Sequence, residues 1–215
     1  SPAKAKTIQK YLGNKVEVMA SVGHIKDLPK SHIGVDIENN FTPEYVVIRG
    51  KGKIITDLKR AAKNADVVFL APDPDREGEA IAFHIASEIG HPDLSMTRVE
   101  FHEITKRGVT HGVDNPRELD VALYDAQRAR RVLDRIVGYD VSALVWSKLA
   151  FGLSAGRVQS VALRIIVDRE MEIEAFRARE YWSVHARLAT PRGDEFDTTL
   201  TIFGGKKLER FDIAS

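Results

Sequence analysis

Apolar positions recur along the chain at two spacings, and each change of spacing marks a new element. Ser1 suits a helix N-cap and Pro2 the first helical position, so a helix is expected to about residue 11, ended by Gly13. Residues 15–20 (KVEVMA) alternate apolar and polar, which is the period of a strand. After Gly23-His24 and a polar loop, residues 45–48 (YVVI) form a short β-branched strand. Ile54, Ile55, Leu58, Ala61 and Ala62 return to helical spacing over residues 53–63. Residues 67–70 (VVFL) are an unbroken apolar run, predicted as a strand covered on both faces. An acidic loop then leads into a helix over about 77–89, closed by Gly90. A strand at 99–101 and a short helix at 105–113 complete the alternation, which predicts an α/β domain with a mostly parallel sheet.

Asn115-Pro116 reads as a boundary, beyond which the pattern is helical. A long helix is expected over 119–137, ending near Gly138, with a short one over 142–149. Residues 157–176 carry Val158, Val161, Ala162, Ile165 and Ile166 at the i, i+3, i+4, i+7, i+8 spacing of an amphipathic helix. After Glu180 the pattern changes to strands at 181–188 and 196–203, joined through Pro191-Arg192-Gly193. No internal repeat or low-complexity tract interrupts the chain.

The absence of cysteine excludes disulfide scaffolds, zinc–thiolate sites and cysteine nucleophiles. No apolar run approaches the roughly 18 residues that span a bilayer, and no signal segment opens the chain, so no membrane partner and a cytoplasmic location are expected. With 32 Lys and Arg against 31 Asp and Glu, the 215 residues carry a net charge of +1. That sum argues against a nucleic-acid partner only if charge is spread evenly. It is not: residues 73–79 hold four acids and one Arg, whereas 128–135 hold four Arg and one Asp.

The acidic run Asp73-Pro74-Asp75-Arg76-Glu77-Gly78-Glu79 follows a strand, where parallel sheets place their sites. In an extended segment Asp73, Asp75 and Glu77 point to one side, and oxygen-only ligands suit a hard cation such as magnesium. Acidic residues also favour the first turn of a helix, which accounts for Glu77 and Glu79 but not for both aspartates. An EF-hand is excluded because its twelfth position is His84 rather than Glu and a strand precedes it. Gly50-Lys51-Gly52-Lys53 fits neither the P-loop nor the dinucleotide spacing.

In the basic run, Arg128, Arg131 and Arg135 fall on one helix face, and Asp134 can pair with Arg130 or Arg131. Such a stripe suits phosphate oxygens; a solvated face is the plain alternative. Tyr139 and Trp146 follow closely, as stacking platforms for bases or as packing residues. Ser154-Ala155-Gly156-Arg157-Val158-Gln159 puts small residues and an Arg at a helix start, where free N–H groups bind phosphate. Lys4 and Lys6, in the opening helix, read alone as surface residues, and His24, before a polar loop, as a surface residue or a phosphate contact.

Six stretches taken together resemble bacterial DNA topoisomerase I, the type IA family: SPAKAKTIQKYLG, SVGHIKDLP, FLAPDPDREGEAIAFH, FHEIT, DAQRARRVLDRIVGY and LSAGRVQSVALRIIVDRE, in this order. The resemblance implies a Rossmann-like Toprim domain at 1–117, a mainly helical DNA-binding domain at 118–177 and the first strands of a β-rich arch domain at 178–215. It implies cleavage of one DNA strand through a 5′-phosphotyrosine, strand passage and religation, which relaxes negatively supercoiled DNA without ATP. It casts Asp73, Asp75 and Glu77 as the Mg2+-binding triad, and Lys4 as the lysine that stabilises the transition state. It assigns His24, Arg130, Arg131, Asp134, Tyr139, Trp146 and residues 154–159 to single-stranded DNA, in an enzyme expected to be a nucleoid-associated monomer. The family's motif has a Glu before the Ser-Pro, which this chain does not show. Its nucleophilic Tyr stands before Arg-Thr-Asp-Ser, a setting that none of Tyr11, Tyr45, Tyr124, Tyr139 or Tyr181 has. A piece of a larger enzyme is therefore expected, binding Mg2+ and single-stranded DNA without turnover. A Toprim nuclease or primase-like enzyme would share the acidic loop but not the basic segments. A non-catalytic binding module would need the basic segments alone.

Overall fold

The structure, a computed structural model, describes residues 1–213 in two compact units, 1–160 and 161–213. In the first unit, α1 (Pro2–Leu12) begins with Pro2 at its first position and ends at Gly13, whose φ of 70° only glycine adopts without strain. The expected strand at 15–20 does not form. The side chain of Gln9 binds this segment instead, donating to the carbonyls of Gly13 and Val16 and accepting from the Val18 N–H at 2.8 Å. A side chain thus occupies backbone groups that a neighbouring strand would need.

Two antiparallel pairs follow: β1 (Lys26–Asp27) with β4 (Val46–Val47), and β2 (Val35–Asp36) with β3 (Thr42–Pro43). Helix α2 (Gly52–Ala62) leads into β5 (Val67–Leu70) and α3 (Arg76–Ile89), which returns the chain to β6 (Ser95–Arg98), parallel to β5. Among the described residues this is the one parallel pair, so the expected mostly parallel sheet is reduced to a single β–α–β crossover. Nor is β5 covered on both faces: Val67 is exposed and only Leu70 is buried. The strand expected at 99–101 lies slightly earlier, and Val99 adds one more bond to the Leu70 carbonyl. Helix α4 (Lys106–Asp114) starts at the Thr105 cap.

Leu70, Ala82, Ile85 and Ile89 pack with Ile55 and Ala62 into the main core, between α2, α3 and β5. Burying an Ile or Leu side chain there contributes roughly 1.5–3 kcal/mol. A second cluster of Ile8, Val99, Phe101 and Val109 fastens α1 and α4 to the far side of β6.

Helix α5 (Val121–Lys148) starts at the Asp120 cap and runs 28 residues without a break. The sequence pattern predicts two helices here, parted at Gly138. The chain stays helical because Gly138 keeps both neighbouring turns intact and no proline or cap competes. Val132 of α5 packs on Leu28 and Val35, so this helix and the 26–36 loop form a third cluster.

Helix α6 (Arg157–Ala175) opens in the first unit and continues into the second. The expected helix forms, and in it Val158, Val161, Ile165 and Ile166 of the apolar stripe are each more than half exposed. In the second unit β7 (His185–Ala189) pairs antiparallel with β8 (Glu195–Thr199) across the Pro191-Arg192-Gly193 turn. The expected strand at 196–203 divides there, and β9 (Ile202–Phe203) pairs with β10 (Lys206–Lys207).

Candidate nucleic-acid and metal site

The acidic loop leaves β5 at its C-terminal end, where parallel sheets generally place their sites. Lys4, in the first turn of α1, donates to Asp73 Oδ1 at 2.7 Å; both side chains are half exposed or more. Asp75 is the N-cap of α3 and accepts from the Gly78 N–H at 2.7 Å. Glu77 lies in the first helical turn, and its Oε2 stands 3.3 Å from His24 Nε2 and 3.2 Å from Gln127 Nε2. The extended geometry that would aim all three acids to one side therefore stops at Asp75. In kind the donors suit a hard cation, since all three are carboxylates. In arrangement each is committed to a different partner. Among the described residues no three His, Cys, Asp or Glu side chains are grouped to hold a metal.

Beneath the loop lies a charge network that the pattern did not reveal. Glu79 and Arg98 are fully buried, with Arg98 Nε donating to Glu79 Oε2 at 2.9 Å. Arg117 donates to both oxygens of Glu79, and the Asp120 N–H adds a bond of 2.7 Å. Burial alone would push the Glu79 carboxyl up. The bonds from Arg117, Asp120 and Arg98 outweigh it and hold the group down at about 2. A trace of this was legible: Glu79 falls on the same helical stripe as Ala82, Ile85 and Ile89, and Arg98 shares a strand face with Leu94 and Met96.

Close by, His84 is buried with both ring nitrogens unpartnered, edge-on to Tyr45 at 4.5 Å between ring centres. Burial, then the charges of His24 and Lys26, push the imidazole down to about 4. Burial likewise pushes the Tyr45 hydroxyl up to about 12, with Tyr124 adding to it.

The basic residues of α5 are distributed differently from the expected stripe. Arg131 grips Asp27 with two bonds, of 2.8 and 2.6 Å. Arg135 donates to the Pro29 carbonyl at 2.7 Å and to Tyr139 Oη at 3.0 Å. Arg128 pairs with Asp125. Asp134 was expected to pair with Arg130 or Arg131. It binds Arg157 of the next helix instead, because the folded chain brings Arg157 Nη2 within 2.8 Å, and Arg131 is already taken by Asp27. Arg130 is half-buried and lies close enough to lower the Asp134 carboxyl, after the larger effect of Arg157.

Tyr139 is partly exposed, with its hydroxyl against the His32 carbonyl at 3.3 Å. Trp146 donates to the Leu153 carbonyl and packs on Phe151. Ser142 Oγ accepts from the Ala155 N–H at 3.0 Å, which ties residues 154–159 to α5. Within that stretch Gln159 reaches back to Ser154 Oγ, Gly156 precedes the first turn of α6, and Val158 is exposed. His24, Lys4, the acidic loop and the Arg131–Arg157 region all belong to the first unit.

The comparisons with known proteins agree with this layout. Residues 1–104 match the family model of the Toprim domain, and residues 118–213 match that of the DNA topoisomerases. A Toprim domain joined to such a segment defines a topoisomerase of the type IA class. The solved structure of full-length topoisomerase I from Thermotoga maritima is 45% identical, with a TM-score of 0.74 over 97% of this chain. The chain belongs to the bacterial DNA topoisomerase I family. It spans 35% of the length of the Thermotoga maritima chain.

Proposed function

We propose that these residues contribute the metal and single-strand sites of a type IA topoisomerase that relaxes negatively supercoiled DNA. The observation that carries this reading is the meeting of Lys4 with Asp73 at 2.7 Å, two residues before the Asp75 cap. A cation and a carboxylate meet there at the end of a parallel strand, with Asp75 and Glu77 next along the chain and Glu77 in contact with Gln127 of the Arg-rich helix. Asp73, Asp75 and Glu77 would hold Mg2+, which would offset charge developing on a phosphoryl group. Lys4 supplies a mobile positive charge at the same point, free to turn from Asp73 to a phosphate oxygen, because the pair is solvent-exposed and worth little.

His24, Arg130, Arg131, Asp134, Tyr139, Trp146 and residues 154–159 form the strand-binding groove in this reading. Arg131 exchanges Asp27 for a phosphate, and Asp134 keeps Arg157 in a fixed direction. The protein acts as a monomer in the bacterial cytoplasm, on nucleoid DNA, and among its described residues no helix is long and apolar enough to cross a membrane. None of the five tyrosines has the nucleophile's setting, so the 215 residues bind Mg2+ and single-stranded DNA without turning over. The domain limits that go with this reading are 1–117, 118–177 and 178–215.

Calorimetric titration of Mg2+ into the chain and into the Asp73→Asn, Asp75→Asn double variant tests the metal site. Binding should drop at least tenfold in the variant, with single-strand affinity in metal-free buffer retained. Unchanged Mg2+ affinity would refute the assignment and leave a binding module.

A further inference from the structure

We propose that Arg98 is the positioning residue of the acidic loop, acting as a clamp that Glu79 holds in aim. The Arg98 guanidinium is fully buried, and its bonds go mainly to backbone. Nη1 faces the carbonyls of Leu70, Pro72 and Val99 at 3.1, 2.9 and 2.6 Å, and Nη2 donates to the Asp73 carbonyl at 2.8 Å. The carbonyls of Pro72 and Asp73 belong to the loop itself, just past the end of β5, where the parallel ladder no longer supplies donors. One planar cation therefore sets the path of the backbone that carries the Asp73 and Asp75 side chains.

The orientation of Arg98 is set in turn. Glu79 takes its Nε–H at 2.9 Å, leaving both terminal nitrogens turned toward the loop. The same carboxylate accepts from Arg117 and from the Asp120 N–H, at the start of α5. The loop is closed from the other side by Gly78, whose missing Cβ would run into the Asp73 carbonyl. The clamp thus joins three things: the end of β5, the first turn of α3 and the N-cap of the Arg-rich helix.

A merely stabilising ion pair would need only the charge of Arg98. A clamp needs the fork, because lysine carries the charge but cannot reach a carboxylate and several divergent carbonyls at once. Arg98→Lys separates the two. Far-UV circular dichroism and cooperative unfolding establish that the variant folds. The Gly78 amide, bonded to the Asp75 carboxylate, should then exchange with deuterium at least tenfold faster than in the wild type. Amides of the β7–β8 hairpin should be unchanged.

Wild-type exchange at Gly78 in a folded Arg98→Lys protein overturns the proposal. If the variant does not fold, the wild type decides by NMR. An Arg98 Nε–H that persists for hours in D2O supports the clamp, and one that exchanges as fast as the surface arginines overturns it. A further consequence rests on the reading of the loop as a magnesium site: Mg2+ affinity of Arg98→Lys should fall at least tenfold. Failure of the wild type itself to bind Mg2+ would count against that reading alone, and the exchange result would still decide the clamp.

Discussion

Glu79 accepts hydrogen bonds from Arg98, Arg117 and the Asp120 N–H in the interior of the first unit, while its neighbours Asp73 and Asp75 face solvent. All three sit within seven residues, and only their surroundings separate a structural acid from candidate metal ligands. The two aspartates were legible because their spacing has no helical explanation. Glu79 was assigned to helix-start charge, since its partners come from 19 and 38 positions away.

His84 makes a testable case at the same scale. Its folded pKa of about 4 lies below the ordinary imidazole value of 6.5, so between these values the unfolded chain binds a proton that the native state refuses. Its contribution is complete above about pH 6.5 and is lost as the pH falls toward 4. Urea unfolding at pH 6.5 and 5.0 should show a loss on the order of 2 kcal/mol, which His84→Phe should largely remove. An equal loss in the variant would assign the effect to other groups.

Among the elements, α5 shows why local signals mislead. Gly138 followed by Tyr139 and Asp140 looks like a helix end, yet the helix continues to Lys148. Its first half is held by packing on α3 and by the Val132 cluster, and its second half by Ser142 bonded to Ala155. A Cβ at Gly138 would meet nothing nearer than the Ala155 carbonyl at 3.8 Å. Gly138→Ala should therefore stabilise the chain by up to about 1 kcal/mol, read as a raised urea midpoint. Destabilisation would mean that the helix breaks at this residue in solution.

The strand expected at 15–20 fails for the complementary reason. Alternation there is real, but a strand exists only through a partner, and Gln9 occupies backbone groups of this segment. By contrast, α1, α2, α3 and α4 fall within a residue or two of expectation, because caps and spacing are local properties.

At the scale of the whole molecule, the net charge of +1 hides two opposed regions, the acidic run 73–79 and the basic run 128–135, that the fold keeps within one unit. Their balance is internal as well: Lys4 with Asp73, Arg131 with Asp27 and Arg157 with Asp134. A DNA strand would compete with these pairs, so its binding should be strongly salt-dependent. Arg131→Ala should weaken single-strand affinity several-fold and lower the slope of log affinity against log salt by about one. Fluorescence anisotropy across a salt series measures both. An unchanged slope would remove Arg131 from the groove.

By itself, the sequence determined most helices, the crossover from β5 to β6, the acidic loop, the basic helix and the family, since each is written in spacing, caps or contiguous motifs. Only the tertiary structure decided which charges are spent inside the protein. Asp27 and Arg131 are 104 residues apart, Lys4 and Asp73 are 69 apart, and Arg98 reaches the loop from the neighbouring strand. No local pattern records such pairs, because a hydrogen bond depends on where the backbone brings its donor and acceptor, not on their distance along the chain.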